Sequence, residues 1–490
     1  MNHRRLRGAL FAAIFASGLL TSASAMAETL ADAIAMAYES NPNILRQRNT
    51  VRAADEQFYR ASRTFGPTIT ADADISANRS YDTNVCNTAG VCGSRQVGGQ
   101  AGGLSLNITQ PIYTGGRLSA QIRAQEASLL AQRESLRQAE ASLVQSVIEA
   151  YVAVRRSEQT LAIARENVSV LQRQRDEAQA RFEVGASTRT DVAQADSRLA
   201  SAKSNLTSQQ NSLDNARAQY RTVVGQSPVA LEPEPSLAPL LPESPGIAFQ
   251  AAQEDNPALR SAYLNERASA ADISAARAAR RPTISTSVTA GYDPSIFGQT
   301  DNAGVTGRAT VSIPLFTGLT TSSSIRSAEI ANRDDEIAIS GQIRTLQQQV
   351  TQSWNSLISA RATIESNEQA VRAAQLAAEG TREEQQVGLR TTLDVLNAEQ
   401  ELRSAEQTLV NSRANEYIAA TSLLNAMGHL EAKTFAPTID TDDPTIYFKR
   451  VNSFGLPWEP LVRSLDRIGA APIPERQPLP GEVVPNLPEL

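Results

Sequence analysis

Few side chains in this sequence are suited to catalysis or to binding a metal. The chain of 490 residues contains two histidines and two cysteines, and His429 stands alone beside Gly428. No Ser/His/Asp set, phosphate-binding glycine loop or metal-ligand constellation accompanies that histidine. We therefore interpret His429 as a helix C-terminal cap, and we expect a protein that is not an enzyme and has no cofactor or metal. The net charge of −6 also argues against a nucleic-acid partner.

Two matching carboxylates are the best remaining candidates for function. Asp191 and Asp394 each follow a short segment that contains one glycine and one threonine. These are Gly185 and Thr188 in the first segment, and Gly388 and Thr391 in the second. Glycine allows the left-handed end of a helix, threonine caps the next helix, and a carboxylate in the first turn favours the helix dipole. The pattern predicts two tight turns between helices, and turn chemistry alone is one sufficient interpretation of it.

The two turns belong to a tandem duplication of the chain. Asn41-Pro42 recurs 215 residues later as Asn256-Pro257. Further along, Pro111-Ile112-Tyr113 recurs 203 residues later as Pro314-Leu315-Phe316, and the turns keep that offset. The offset stays at 203 residues from Pro111 through the turns, so neither copy contains an insertion over this stretch. This indicates that the length of the stretch is functional.

Each copy contains two segments in which apolar and polar side chains alternate. They cover 67–76, 103–113, 282–291 and 307–316. Such alternation is typical of strands in membrane barrels, although half-buried strands of soluble proteins alternate too. Residues 78–103 are predicted to form an extracellular loop. Cys86 and Cys92 lie in it, and an oxidising compartment favours a disulfide between them over two free thiols.

The other segments carry the heptad repeats of coiled coils. Long helices are predicted over 118–184 and 321–387, return helices over 189–224 and 391–427, and leading helices over 29–62 and 247–280. A long helix spans roughly 100 Å at about 1.5 Å per residue, about twice the length of a return helix. A leading helix must therefore stack on the end of each return helix. Heptads alone are equally compatible with a soluble coiled coil.

Three segments fall outside the two copies, which span 28–226 and 247–430. Residues 1–27 have a basic start, a short apolar stretch and an Ala25-Met26-Ala27 cleavage motif, which predict a secretory signal peptide. Residues 227–246 contain six prolines and form the predicted crossover. Residues 431–490 are a proline-rich tail, for which wrapping around the body and disorder are both compatible with the composition.

The duplicated order of helices and strands resembles the TolC family of outer-membrane channel-tunnels. The opening Thr29-Leu30-Ala31-Asp32-Ala33 and the Val-Gly-x-x-Thr-x-x-Asp-Val turns carry the same resemblance, which covers residues 28–430. It implies a mainly α-helical chain with a membrane β-barrel. In this arrangement a homotrimer with four strands per chain closes a 12-stranded barrel, which continues as a helical coiled-coil barrel in the periplasm. Four strands alone would leave open edges that lipid cannot satisfy.

The resemblance also implies partners and a function. The partners are a periplasmic adaptor (membrane fusion protein), an inner-membrane ABC or proton-driven transporter, and outer-membrane lipid. The expected function is a passive exit duct of a tripartite export system. The TolC-like opening and the absence of a lipidation cysteine favour type I protein secretion over multidrug or small-molecule efflux. An alternative of another class is a periplasmic coiled-coil adaptor, which should lack the four alternating strands.

A gate at the two turns is a further implication of the resemblance. Asp394 and Asp191 would lie at the closed periplasmic aperture, where symmetric carboxylates repel and some carboxyl pKa values rise. Arg390 would pair with a neighbouring carboxylate and help to hold the turns closed. The family's second acidic position is Asn397 here and its gating tyrosine is Gln385. These departures put a second acidic ring and a tyrosine latch in question.

Overall fold

The computed structural model describes residues 27–86, 88–90, 92–293, 302–437, 439, 443–451, 457–478 and 481–489. All but the last residue of the predicted signal peptide lies outside these ranges. The first copy contains α1 (Leu30–Ser40), α2 (Pro42–Ser62), β1 (Thr68–Cys86), β2 (Cys92–Tyr113), α3 (Arg117–Glu183) and α4 (Arg189–Val224). The second contains α5 (Pro245–Asp255), α6 (Pro257–Ala278), β3 (Thr283–Asp293), β4 (Asn302–Ser312), α7 (Thr320–Gln386) and α8 (Thr392–Met427). The tail contributes α9 (Ala432–Phe435), α10 (Pro444–Val451) and α11 (Glu459–Arg467).

The two copies have helices of equal length. Both α3 and α7 have 67 residues, and both α4 and α8 have 36. Most heptad positions of the long helices are buried, including Leu129 and Leu136 in α3 and Ile339 and Leu346 in α7. The heptad position that carries a polar residue, Asn332, is buried too, and its amide donates to the Glu266 backbone and side chain. The apolar seams thus hold these long helices in place.

The prediction of one continuous leading helix per copy is wrong. Each leading helix is interrupted at its Asn-Pro pair. The first consists of α1 and α2, and the second consists of α5 and α6. The Asn41 side chain accepts a hydrogen bond from the Asn43 amide at 2.9 Å, and Asn256 caps α6 in the same way. Proline lacks an N–H and clashes with the preceding turn, so it begins a helix readily and continues one poorly.

The four strands form one antiparallel sheet in the order β1-β2-β3-β4. The first hairpin is much longer than the predicted 67–76 and 103–113, because β1 and β2 stay paired from Thr68/Thr109 to Cys86/Cys92. Most of the predicted 78–103 loop is therefore a two-stranded ribbon. Ladder hydrogen bonds use backbone groups, so pairing continues where side-chain alternation stops. The fourth strand lies at Asn302–Ser312 and not at 307–316, because Pro314 cannot donate to a ladder.

A disulfide joins Cys86 and Cys92 at the distal end of the first hairpin. Gly90, in the connecting turn, has a φ of 79°. Among the described residues, β3 pairs with β2 only from Leu104 to Tyr113, so the bond lies in the part of the ribbon beyond that pairing.

The chain divides into two compact units. One comprises the described parts of Met1–Ala37, Val147–Ser236 and Ala370–Asn411, and contains both helical turns. The other comprises Tyr38–Ser146, Leu237–Gln369 and Ser412–Leu490, and contains the sheet and the tail. None of the helices in the described ranges has the length and apolarity that crossing a membrane requires.

The start of the crossover and the described part of the tail each contact other segments of the unit to which they belong. In the crossover, Leu231 pairs with Glu28 in a parallel bridge. In the tail, Tyr447 donates to Glu56 at 2.6 Å, and the Phe448 ring lies 5.5 Å from the Phe58 ring at a tilt of 42°. The described part of the tail therefore packs on the unit that carries the sheet.

Candidate functional site

The end of each long helix has the same hydrogen bonds. At the first turn, the Gly185 amide donates to Phe182 at 2.9 Å and the Ala186 amide to Arg181 at 2.8 Å. At the second, Gly388 and Leu389 repeat the pattern at 3.0 and 2.8 Å. This paired bonding around a left-handed glycine is a Schellman motif, and it satisfies carbonyls that the helix end leaves free.

A capping box begins each return helix. The Thr188 amide donates to Asp191 Oδ2 at 3.0 Å, and the Asp191 amide donates back to Thr188 Oγ1 at 3.2 Å. Thr391 and Asp394 show the same two distances. Four helix-end groups are thus paired at the two turns, and each aspartate has a local structural role.

These contacts lower the pKa of both carboxyl groups. Backbone and hydroxyl hydrogen bonds from Thr188 lower the pKa of Asp191, and those from Thr391 lower the pKa of Asp394. A carboxyl whose pKa is lower in the folded chain stabilises the fold above its ordinary pKa and loses that effect as the pH falls through the lowered value. Both caps are therefore intact at neutral pH within one chain.

Arg390 pairs within its own turn. Its Nε donates to Glu384 Oε2 at 2.7 Å, and both side chains are about half exposed. Exposed pairs of this kind contribute little to stability. The corresponding residue of the first turn is Ser187, whose hydroxyl donates to Asp191 at 2.9 Å. The two turns thus share a backbone design and differ in charge.

The two positions that depart from the family pattern have different surroundings. Gln385 is buried, and its amide donates to Thr392 Oγ1 at 3.3 Å, which links α7 to the start of α8. Asn397 is exposed and accepts from Arg198 at 3.0 Å, which links α8 to α4. Gln385 thus braces one turn, and Asn397 connects the two helical hairpins.

Sequence reasoning missed a buried charged group near the second turn. Glu399 is fully buried in α8 and contacts Arg382 of α7, with Arg403 at 3.7 Å. Arg403 also pairs with Glu406 at 2.9 Å. The spacing of Glu399 and Arg403 by four residues was the available signal. The Glu399 carboxylate needs a positive partner because it is buried. That burial depends on the packing of α7 against α8, which the sequence does not show.

Replacing Thr391 with alanine is expected to loosen the start of α8. The change removes an N-cap side chain, which costs about 1 kcal/mol, and the pKa of Asp394 should rise toward its ordinary value. Hydrogen exchange of peptides covering residues 388–398 measures the first effect. Thr408→Ala, in the exposed middle of the same helix, is the control. Equal exchange at residues 388–398 in the two variants would contradict the capping role.

The sheet has one apolar and one polar face. Opposed residues of an antiparallel ladder share a face. Three rows across the strands are apolar: Ile69, Ile108 and Val288; Ala71, Leu106, Ala290 and Val305; Ala73, Leu104, Tyr292 and Ala303. Most of the large members are exposed. An apolar surface of this extent marks a membrane or protein contact.

The opposite face is polar across the sheet. Thr70, Asn107, Thr289 and Thr306 form one row of it. Asn107 donates to Asp72 at 3.3 Å and accepts from Thr289 at 2.7 Å. A sheet with these two faces suits a wall between lipid and water.

Within the described ranges, no group of three or more His, Cys, Asp and Glu side chains is placed to hold a metal ion. His429 follows Gly428 at the end of α8, where its amide donates to Leu424 at 2.9 Å. Its Nε2 lies 3.2 Å from Asp255 Oδ2. The histidine thus terminates a helix and contacts one carboxylate.

Comparison with known proteins agrees with this architecture. Residues 33–226 and 248–429 match the family model described as outer membrane efflux protein. The chain is 32% identical to the outer membrane efflux protein BepC of Brucella suis, over 91% of this chain and 96% of that protein. It is 25% identical to the outer membrane protein TolC of Escherichia coli, over 84% of each.

The solved structure of the outer-membrane channel OprN superposes with a TM-score of 0.71 at 20% identity, over 82% of this chain and 90% of that one. This likeness confirms the mainly helical, duplicated fold expected from the sequence. The family is one of outer-membrane channels and not of enzymes. The resemblance seen in the sequence is thereby confirmed: the chain belongs to the outer membrane efflux protein family, and it is a protein of the bacterial outer membrane whose helical part extends into the periplasm.

Proposed function

We propose that three copies of this chain form the outer-membrane exit duct of a tripartite export system. The duct conducts substrate passively, without chemistry of its own, from an inner-membrane transporter and a periplasmic adaptor to the exterior. The two-faced sheet carries this proposal, because its apolar face suits lipid and its polar face suits a water-filled lumen.

The sheet edges support a homotrimer. Within the described residues, β1 and β4 each pair on one side only. Open edges are costly in lipid, where no water satisfies their backbone groups. Pairing β4 of one copy with β1 of the next covers both edges over the length that the four strands share, and three copies close the predicted 12 strands.

The packing between the repeats supports the same assembly. Gly115 lies against Ala278 and Arg281 of the second repeat, so that a Cβ there would be 2.6 Å from the Arg281 Cβ. Its counterpart Gly318 has no such neighbour within 4 Å among the residues that the structure describes. Since the repeats are equivalent, the surface around Gly318 suits the first repeat of another copy.

The long helices also differ in burial, with positions covered in the first repeat and exposed in the second. Ala127 and Glu134 of α3 are buried, whereas the corresponding Ile330 and Ile337 of α7 are exposed. Exposed isoleucines seven residues apart are typical of a coiled-coil surface that packs against another helix. A neighbouring copy would cover them.

Heat-modifiable trimers in outer-membrane fractions, together with channel conductance in planar bilayers, are the expected results. A periplasmic adaptor of the coiled-coil class would instead leave the mature protein outside the bilayer. A water-soluble monomer that never enters lipid would overturn the proposal.

Replacing Arg390 with serine is expected to raise the resting conductance of the trimer about twofold or more, because three positive charges are lost beside the Asp394 carboxylates. The change gives the second turn the serine that the first already has. Single-channel recording measures it. Arg372→Ser, which removes the same charge from an exposed site on α7, is the control. Conductance equal to wild type for Arg390→Ser would sink the gate assignment.

Two cargo classes predict different results when the gene is deleted. The absence of a lipidation cysteine and the TolC-like opening favour protein cargo of type I secretion. The name of the relative that is 32% identical favours efflux. Deleting the gene separates them: loss of a secreted protein supports the first, and drug hypersensitivity with an unchanged secretome supports the second.

A further inference from the structure

Helix α11 in the tail has its polar side inward and its apolar side outward. Glu459, Val462 and Asp466 are buried. They are spaced by three and four residues and therefore share one face of the helix. Two of these three buried side chains are acidic, which reverses the usual arrangement of a surface helix.

Both buried acidic side chains have salt-bridge or hydrogen-bond partners. Glu459 pairs with Arg63 at 2.6 Å and with Arg463 at 2.9 Å. Asp466 accepts from the amide and hydroxyl of Thr114 at 2.6 and 2.8 Å, and from the hydroxyl of Ser119 at 2.9 Å. These contacts fix the rotation of α11 about its own axis, so its outward face is set by the fold.

The outward face is apolar. Trp458, Leu461, Leu465 and Ile468 are 47%, 63%, 38% and 66% exposed. Their spacing of three, four and three residues places them along one side of the helix. Arg467, which is exposed in the last turn, adds a positive charge to the same helix.

This helix lies beside the end of the sheet's apolar face. After a register shift in β2, Tyr113 opposes Ile284, which belongs to the same face as Val288. A Cβ on Gly469, just beyond α11, would lie 3.7 Å from the Tyr113 hydroxyl. The end of α11 therefore lies beside the strand residues at the end of the surface that suits lipid.

We propose that α11 is an interfacial membrane helix, which inserts Trp458, Leu461, Leu465 and Ile468 into the phospholipid leaflet at the periplasmic end of the barrel. This inference rests on the proposed function, since it requires the sheet to span the bilayer. The tail lies beyond the residues that match the family model.

Continuity with the apolar sheet face is the reason to assign phospholipid as the occupant. A helix with an apolar face and a tryptophan lies stably in the interface, where the indole ring favours the headgroup level. Arg467 adds attraction to lipid phosphate groups. The trimer would carry three such helices around the barrel.

Depth-dependent quenching in liposomes tests the proposal. The chain has two tryptophans, Trp354 and Trp458, so Trp354→Phe leaves Trp458 as the only reporter without touching α11. The trimer is reconstituted in phosphatidylcholine brominated either near the headgroup or near the chain ends. Trp458 emission should fall about twofold with bromine near the headgroup and less with bromine at the chain ends, as an interfacial position requires.

Two further variants make the outcomes distinct. Trp458→Phe reports on Trp354 within α7, which should not be quenched. Tyr292→Trp, on the apolar sheet face of a chain lacking both native tryptophans, should be quenched. Quenching at position 292 without quenching of Trp458 would overturn the inference and leave the duct intact. If Trp458 is quenched neither by the brominated lipid nor by aqueous iodide, a protein surface and not lipid covers it. Quenching at neither site would overturn the duct as well.

Discussion

Alanine in place of Asp466 is expected to destabilise the junction between β2 and α3 by about 3 kcal/mol. The carboxylate is fully buried and accepts from three amides and two hydroxyls, contributed by Thr114, Gly116 and Ser119. Removing it leaves several buried donors unsatisfied at the start of a helix, where amide groups have no other partner. Hydrogen exchange over residues 112–122 and urea unfolding both measure the loss.

Asp443→Ala is the matched control for that prediction. It removes the same charge from the same tail, but Asp443 is exposed and caps only α10 through the Thr445 amide at 2.8 Å. The expected cost is about 1 kcal/mol or less. Equal destabilisation by the two variants would mean that Asp466 acts through net charge and not through its buried contacts.

Alanine at Gly428 is expected to cost about 3 kcal/mol, whereas alanine at Gly185 should cost about 1 kcal/mol. Both glycines have positive φ angles, 78° and 72°, so the backbone penalty is similar. A Cβ at position 428 would fall within hard contact of the Asp255 carbonyl oxygen, and only 3.0 Å from the Asn256 Cα. At position 185 the same atom meets none of the described residues within 4 Å.

Thermal unfolding followed by the helical circular dichroism signal compares these two variants. The difference between them isolates the packing of the α8 end against the break between α5 and α6. If the variants unfolded together, the close approach at Gly428 would have to be relieved by a small backbone shift, and the packing argument would be wrong.

Local sequence patterns determined most of the helical part of this protein. Heptad repeats predicted long helices that begin and end within one residue of α3 and α7, because side-chain spacing and helix periodicity are properties of neighbouring residues. Gly388 and Thr391 predicted a turn for the same reason, since caps bond groups three or four residues apart. The duplicated order of elements was also sufficient to indicate the family.

Long-range contacts decided the rest. The first hairpin is longer than predicted because ladder bonds are made by backbone groups whatever the side chains are. The burial of Glu399 depends on Arg382 of the facing helix. The contact of Asp466 with Thr114 joins residues 352 positions apart and sets which side of α11 faces outward. Periodicity states which residues share a face of a helix. Only the packing of distant segments, driven by burial and by pairing of polar groups, decides what that face contacts.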